Sequence, residues 1–254
     1  MDLLELSKNT VMLGLRKLSM LDKKNTKGFK FSTSVPREIK ADADLIIEKL
    51  LIDELSVSGL NILSEERGFV RSKNGSDLRF IIDPIDGTVN FVRNIAECSI
   101  SVALFDGNNP IFGVIGSYPS LDIAWGGKEM GSFIGGIPIG VSSISDVNLG
   151  ILCTGYPSRF DFNSDIVLKH QNLIKSFNKI RMLGSASQSL LKVAKGSVEA
   201  YCENNIMIWD VAAGLAIVEG AGGEYIINSL IDLNQPLDVA ACNNSINKSM
   251  LIYQ

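Results

Sequence analysis

The run from Asp83 to Phe91, Asp-Pro-Ile-Asp-Gly-Thr-Val-Asn-Phe, carries the residues best suited to chemistry in this chain. It follows Arg79–Ile82, the end of a β-branched and aromatic run that predicts a buried strand with two carboxylates at its C-terminal end. The proline keeps the first aspartate extended, and the glycine and threonine predict the opening of a helix whose free amides attract an anion. Carboxylates beside free amides indicate a composite site for cations such as Mg²⁺ and a phosphate.

A capped turn is the simpler interpretation, because Asp-Pro and Asp-Gly are common turn dipeptides. Metal-assisted phosphate chemistry needs several carboxylates that converge from separate segments. Glu65 follows the short predicted strand Asn61–Ser64, and side-by-side strands could bring its end next to Asp83. Asp210 lies at the predicted start of a helix, in Ile-Trp-Asp-Val-Ala-Ala-Gly. Taken alone, the glutamate would be a solvated turn residue and the aspartate an N-cap.

Together and in this order, the three segments resemble the inositol monophosphatase family, which comprises Mg²⁺-dependent, lithium-sensitive phosphomonoesterases. The family pattern is Glu-Glu, then Asp-Pro-Ile/Leu-Asp-Gly-Thr-x-Asn-Phe, then Trp-Asp-x-Ala-Ala-Gly. A weaker match is Arg181–Ala186, similar to a Gly-Ser/Thr-Ala element before the last motif. The resemblance covers essentially the whole chain. It implies an α/β fold of alternating helix and sheet layers, and a homodimer.

The resemblance also implies roles for individual residues. Two or three Mg²⁺ ions per site would be held by Glu65, Asp83, the backbone carbonyl of Ile85, Asp86 and Asp210. Among the catalytic residues, Thr88 would hydrogen-bond toward Glu65, these two would orient the attacking water, and Asp44 would complete the network through Thr88 and metal-bound waters. The substrate would contact Asp86, Gly87, Thr88, Gly184, Ser185, Ala186, Glu203 and Asp210. Such chemistry needs no nucleophilic serine, cysteine or histidine.

Three departures from the family pattern stand out. Ser64 precedes the Glu-Glu pair where the family often has glycine, and Ala41 occupies a position where the family commonly has threonine, upstream of Asp44. The segment 92–98 is unusually polar. The departure at Ala41 weakens the case for Asp44 and a third ion, and the polar segment could alter substrate access or oligomer contacts.

The composition is ordinary for a globular enzyme. The 254 residues are 46% hydrophobic and 20% charged, with a net charge of −4, so no basic surface for nucleic acid is indicated. No signal peptide or membrane span is read, and a cytoplasmic location is expected. We expect one unit, 1–254, with two lobes of approximately 1–145 and 146–254. The four separated cysteines predict buried free thiols, and the single histidine, His170, is predicted on the surface.

Hydrophobic periodicity predicts helices and strands that alternate in a layered α/β arrangement. The predicted helices are Asp2–Leu21, Ala41–Leu55, Asp165–Phe177, Gln188–Lys195 and Val211–Gly220. Further predicted strands are Cys98–Phe105, Ile111–Tyr118, Leu149–Thr154, Lys179–Leu183, Val198–Cys202 and Glu224–Ile227. The segment 123–141 predicts a small antiparallel sheet, the segment 23–40 predicts a loop that could include a short strand, and the segment 67–77 predicts a loop.

The family resemblance predicts a Mg²⁺-dependent phosphatase that releases phosphate from a small polyol or sugar monophosphate. Candidate substrates include inositol phosphate, histidinol phosphate, fructose bisphosphate and nucleotide 3′-phosphate. The residues Thr88–Phe91 resemble the inositol branch, since the nucleotide branch usually has Lys-Glu-Phe after the threonine. A regulatory or binding protein that keeps the fold without turnover is the alternative.

Overall fold

The computed structural model describes residues 1–24, 31–32, 40–72, 76–158, 160, 162, 165–228 and 233–252. Within these ranges, helices and two large sheets alternate in layers, which confirms the predicted fold class. In the part of the chain that is described, no helix is both long and apolar enough to cross a membrane.

The α-helices in the described ranges follow the periodic apolar segments of the sequence. They are Leu3–Lys24 (α1), Asp42–Leu55 (α2), Thr88–Val92 (α3), Asp165–Ser176 (α4), Ala186–Ala194 (α5) and Ile208–Gly220 (α6). Short 3₁₀ turns occupy Ser56–Ser58 and Lys248–Met250. Asp2 caps α1, because its Oδ1 accepts hydrogen bonds from the Leu4 and Glu5 amides at 3.0 and 3.1 Å.

The larger sheet has eight strands in the order β10-β9-β8-β7-β6-β5-β3-β4. A separate two-stranded ladder pairs Phe31–Ser32 (β1) with Lys40–Ala41 (β2). The eight strands are Asn61–Ser64 (β3), Gly68–Val70 (β4), Leu78–Asp86 (β5), Cys98–Asp106 (β6), Asn109–Tyr118 (β7), Ile123–Gly127 (β8), Gly131–Ile134 (β9) and Ile137–Pro138 (β10). Only the β3–β5 pair is parallel among them, and it places the end of β3, Ser64, opposite Ile82, so that Glu65 follows beside Asp83 as expected.

The second sheet has five strands in the order β12-β11-β13-β15-β14. They are Ile151–Thr154 (β11), Lys179–Arg181 (β12), Ala200–Ile206 (β13), Glu224–Asn228 (β14) and Leu237–Cys242 (β15). Strand β11 is parallel to both β12 and β13, whereas β15 is antiparallel to both of its neighbours.

Three apolar cores lie between the layers. Helices α1 and α2 cover one face of the larger sheet, α5 and α6 lie between the two sheets, and α4 covers the outer face of the second sheet. The apolar run in strand β5 is continuous because both faces of the strand are buried. Phe80 and Ile82 enter the core below α1 and α2, while Ile81 enters the core between the sheets.

Several sequence predictions are corrected in detail. The connection 67–77 contains the strand β4, which pairs with β3 through only three residues and is too short for a periodic signal. The strands in 123–141 are antiparallel as predicted, but they extend the larger sheet through the β7–β8 pair. Strand β15 was not anticipated. Most of the predicted loop 23–40 lies outside the described residues. All four cysteines are buried and free, as predicted.

Candidate active site

Strand β5 does not stop before the carboxylates but continues through both of them to Asp86. Its register with β6 shifts between Asp83 and Asp86, where Pro84 has no amide for the ladder. In a regular strand, residues three apart point to opposite faces. The irregularity therefore allows both carboxylates to reach the same place.

Asp210, in the first turn of α6, joins these two carboxylates. Asp83, Asp86 and Asp210 each offer one oxygen, and these oxygens all lie within 4.8 Å of one another. Asp210 also accepts a hydrogen bond from the Met207 amide at 3.2 Å. The helix-capping role and the convergence with the other acids therefore coexist at this residue.

The electrostatics of this group indicate a cation. Burial, followed by the charges of Glu65, Asp86, Asp210 and Asp44, raises the pKa of Asp83 well above its ordinary value. Asp83 is 0% exposed, and its Oδ2 has no hydrogen-bond partner among the described residues, whereas Oδ1 accepts from the Ile85 amide at 2.9 Å. Because a buried oxygen without a partner is costly, these residues fit a hard divalent cation with oxygen ligands.

Asp86 connects the larger sheet to the start of α5. Its Oδ2 accepts hydrogen bonds from the Ser185 hydroxyl and the Ser187 amide, both at 2.7 Å, and from the Ser187 hydroxyl. The Ala186 amide lies 3.3 Å from Oδ1. Burial raises the pKa of Asp86, and the hydrogen bonds from Ser187 and Ser185 oppose that rise. The predicted Gly-Ser-Ala element therefore lies at the site, and Ser187 is an additional residue.

Thr88 lies beside Asp44 at the start of α3. Its Oγ1 is 3.0 Å from Asp44 Oδ1 and 3.0 Å from the Ile85 carbonyl, and Asp44 is buried. Gly87 has a φ of 88°, and a Cβ there would come within 3.1 Å of the Glu97 carbonyl. Glycine is therefore required for this turn, which holds Thr88 in reach of Asp44.

Glu65 is presented by a turn that a second, unanticipated glutamate holds. Glu48 on α2 is 0% exposed, and its Oε1 accepts hydrogen bonds from the amides of Glu66 and Arg67 at 3.1 and 3.0 Å. It also accepts from the Ser64 hydroxyl and forms an ion pair with the Arg67 guanidinium at 3.3 Å. Because Ser64 pairs with Ile82 in the parallel ladder, Glu65 lies near Asp83, whose pKa it raises.

A cavity of about 500 Å³ opens over this group. Residues from both sheets and from the helices between them line it, including Glu65, Asp86, Tyr156, Glu203, Trp209 and Asp210. Burial, followed by the charges of Asp210 and Asp86, raises the pKa of Glu203 to about 8. The predicted substrate residue Glu203 thus shares one cavity with the acids.

The prediction that His170 lies on the surface is wrong. His170 is 2% exposed, and its Nε2 and Nδ1 lie 3.0 and 2.9 Å from the hydroxyls of Thr154 and Tyr156. The polar sequence around it reflects the outer face of α4, while His170 lies on the inner face with Leu173. Burial lowers the pKa of His170.

The sequence profile of the inositol monophosphatase family matches residues 10–251 of this chain. An inositol-1-monophosphatase from Caulobacter vibrioides is 30% identical over 217 residues, which are 83% of this chain and 84% of that protein. A protein from Xylella fastidiosa called Nus factor SuhB is 32% identical over 186 residues, which are 72% of this chain and 66% of that protein. The latter alignment spans slightly less than two thirds of the relative's length.

Solved structures give the same picture. The crystal structure of the extragenic suppressor protein suhB from Bartonella henselae superposes with a TM-score of 0.87 at 25% sequence identity. The superposition covers 96% of this chain and 95% of that one. The similarity therefore extends over both sheets and the helices that position the acidic group.

Proposed function

Because this chain belongs to the inositol monophosphatase family, we propose that it hydrolyses a small phosphate monoester in a Mg²⁺-dependent reaction. The observation that carries the proposal is the convergence of Asp83, Asp86 and Asp210, whose oxygens lie within 4.8 Å of one another at the cavity. Partnerless Asp83 Oδ2 supports a cation among them.

The ligands that we propose for two or three Mg²⁺ ions are Glu65, Asp83, the Ile85 carbonyl, Asp86 and Asp210. When bound, Mg²⁺ lowers the pKa of water, neutralises the ester and stabilises the leaving oxygen. Around these ligands, Asp86 is fixed by the start of α5 and Glu65 by the turn that Glu48 holds. The chain therefore holds these carboxylates in fixed positions. Phosphoryl transfer needs such positioning, because its loose transition state is stabilised mainly by orientation and electrostatics.

Thr88 and Asp44 would complete the catalytic group. The Thr88 hydroxyl can donate its one proton to Asp44 or to the Ile85 carbonyl, both at 3.0 Å. Its lone pairs then remain to accept a hydrogen bond from a water molecule, which Glu65 would also orient. The amides of Gly87 and Thr88 would bind phosphate oxygens, and Gly184, Ser185 and Ala186 would form the wall beside them.

The substrate that we propose is a polyol or sugar monophosphate. Glu203 lies in the cavity close enough to Asp210 and Asp86 for their charges to raise its pKa. Cations on those aspartates would counter this effect, so Glu203 would be ionised in the loaded enzyme. An ionised carboxylate accepts hydrogen bonds from substrate hydroxyls and repels a second phosphate. Bisphosphates and nucleotide 3′-phosphates should therefore be poorer substrates.

Phosphate release from a panel of phosphomonoesters, with and without Mg²⁺, tests the proposal. We expect Mg²⁺-dependent release from polyol esters by the wild-type enzyme and none by Asp83→Asn. Glu203→Ala should lower kcat/KM on the polyol ester by a factor that corresponds to roughly 1–3 kcal/mol of lost transition-state stabilisation. It should barely change kcat/KM on an aryl phosphate. If no ester is hydrolysed faster by the wild type than by Asp83→Asn, the proposed activity is wrong.

Lithium inhibition is part of the same proposal. A small monovalent cation among Asp83, Asp86 and Asp210 would delay phosphate release, so inhibition should be uncompetitive or noncompetitive with substrate. An enzyme that hydrolyses esters but ignores lithium would contradict the proposed ion bound by these three aspartates, and not the hydrolase activity itself.

A regulatory role beside hydrolysis is the second candidate, and the similarity to a protein named Nus factor SuhB favours it. Complementation of a deletion strain by Asp83→Asn separates the two roles, since only a regulatory role survives loss of hydrolysis. We further propose a cytoplasmic homodimer. Sedimentation of the purified protein tests the dimer, and cell fractionation tests the location.

A further inference from the structure

An aromatic cluster contributes one of its residues to the wall of the active-site cavity. It consists of Tyr156, Phe160, Phe162 and His170, and Tyr156 is the member that lines the cavity. The ring centroid of Tyr156 lies 4.7, 5.1 and 4.9 Å from those of Phe160, Phe162 and His170. Since the Tyr156 side chain is still 39% exposed, the cluster holds a tyrosine ring in place without covering it.

The hydrogen bonds around His170 determine which way the Tyr156 hydroxyl points. Thr154 Oγ1 donates its only proton to the Cys202 carbonyl at 2.7 Å. The same Thr154 oxygen lies 3.0 Å from His170 Nε2 and can only accept a hydrogen bond from it, so Nε2 carries the proton. In the neutral imidazole Nδ1 is then an acceptor, and the Tyr156 hydroxyl donates to it at 2.9 Å. Tyr156 consequently offers a ligand its ring and not a hydrogen-bond donor.

Glu203 lies next to this ring. Strands β11 and β13 are parallel with Thr154 opposite Cys202, so the residues that follow, Gly155 and Glu203, are also neighbours. A Cβ at position 155 would lie only 2.5 Å from Glu203 Oε1, which shows how closely the carboxylate approaches the chain before Tyr156. The cavity wall thus combines an acceptor for hydroxyl groups with an adjacent aromatic surface.

We propose that Tyr156 is a specificity-determining residue that selects cyclic polyol or sugar monophosphates over linear ones. This inference rests on the proposed function. A cyclic polyol has a rigid face of C–H groups and a rim of hydroxyls, so its face can pack on the Tyr156 ring while its rim donates to Glu203. A linear polyol presents no fixed apolar face and loses more conformational freedom on binding.

Kinetics of Tyr156→Leu and Tyr156→Phe on a matched pair of esters test the inference. The cyclic probe is inositol 1-phosphate and the linear probe is glycerol 2-phosphate. We expect Tyr156→Leu to lower kcat/KM on the cyclic ester roughly 3- to 10-fold, mostly through KM, because aromatic packing is lost. The loss on the linear ester should stay below about twofold. Tyr156→Phe should keep the preference for the cyclic ester, since it keeps the ring.

Phe162→Leu is the matched control, because Phe162 belongs to the cluster but does not line the cavity. Equal losses on both esters in Tyr156→Leu, or the same selective loss in Phe162→Leu, would overturn the inference. Calorimetric titration of inositol and of glycerol, with inorganic phosphate and Mg²⁺ present, gives a readout without turnover. Weaker inositol binding by Tyr156→Leu supports the ring contact even if no ester is hydrolysed, and unchanged binding overturns it.

Discussion

Gly155 and Glu203 are neighbours on parallel strands, and a Cβ atom at position 155 would lie 2.5 Å from Glu203 Oε1. The atom that would have to move is the end of a flexible side chain, so Gly155→Ala should displace the carboxylate and leave the backbone intact. We predict a loss of roughly 3- to 10-fold in kcat/KM on a polyol phosphate, with a melting temperature within a few degrees of wild type.

A second glycine provides the control for this prediction. At Gly140 the nearest heavy atom to an added Cβ is 3.8 Å away, which is an ordinary contact, and the residue is exposed. Gly140→Ala should therefore leave activity unchanged. If Gly155→Ala keeps full activity on the polyol ester, the position of Glu203 does not matter for that substrate.

Asp83→Asn should abolish turnover while leaving the ion-free protein as stable or more stable. Burial and four nearby carboxylates raise the pKa of Asp83, so the folded state keeps a proton that the unfolded state releases. The stability from that proton is present at acid pH and is lost as pH rises, because ∂ΔG/∂pH is negative where the folded state binds more protons. The asparagine variant should lack this loss.

Thermal unfolding between pH 5 and 8 in the presence of a chelator measures the effect of Asp83→Asn on stability. Phosphate release at saturating Mg²⁺ measures turnover, which should fall by more than about 100-fold, since even residues behind the ligands can cost 10–100-fold. If Asp83→Asn had a clearly lower melting temperature than wild type without ions, the acids would not repel one another as proposed.

Glu48→Gln should weaken Mg²⁺ binding without unfolding the protein. Glu48 holds the turn that presents Glu65, through the amides of Glu66 and Arg67. Glutamine keeps an oxygen acceptor but loses the charge that pairs with Arg67. We expect a Kd for Mg²⁺ raised by roughly 10-fold, as for other residues that support metal ligands.

The exposed acid Glu54 on the same helix gives the matched control, Glu54→Gln. Calorimetric titration with Mg²⁺ compares the two variants with wild type. A purely structural role for Glu48 predicts a lower melting temperature at unchanged Kd, which would contradict the positioning role.

His170 should make the protein less stable at mildly acid pH. Burial lowers its pKa below the ordinary 6.5, so the unfolded state takes up a proton that the folded state does not. The corresponding stability is complete above about pH 6.5 and decreases as pH falls toward the folded-state pKa. Urea unfolding of wild type and His170→Gln from pH 8 to 5 should show a steeper acid loss for wild type.

Wild type must be compared with His170→Gln because Asp83 and Glu203, whose pKa values are raised, make the free energy of unfolding fall with rising pH in both proteins. His170 is the only histidine in the chain, so no second imidazole complicates the difference. Parallel pH profiles would show that His170 titrates alike in the folded and unfolded states.

The segments that carry the acidic residues were predictable from sequence because local rules determine each of them. A buried strand followed by Asp-Pro and Asp-Gly fixes where the carboxylates of β5 stand, and the β3–β5 pairing then brings Glu65 beside them. The catalytic and substrate roles of these residues remain predictions. The structure adds that Asp83, Asp86 and Asp210 converge.

The supporting residues were not predictable, because their partners lie far away in the chain. Ser187 reaches Asp86 across 101 positions, and Tyr156 meets His170 only when α4 packs on the second sheet. One signal was available for Glu48: it lies on the buried stripe of α2 with Asp44, Ile47 and Leu51. A charged residue on an apolar stripe indicates a buried partner. Strand β15 was not predicted because its sequence, Leu-Asp-Val-Ala-Ala-Cys, alternates only over its first three residues.

The bonds from Ser185 and Ser187 to Asp86 join the strand that carries two of the acids to a helix from the other half of the chain. Asp210 also comes from that half, so neither half alone holds the complete acidic group. An ion that needs all of these acids as ligands binds only the fully folded protein. By mass action, each tenfold excess of free ion over its Kd would then add about 1.4 kcal/mol to the free energy of unfolding. An ion at this proposed site would thereby protect the protein against proteolysis as well as support its turnover.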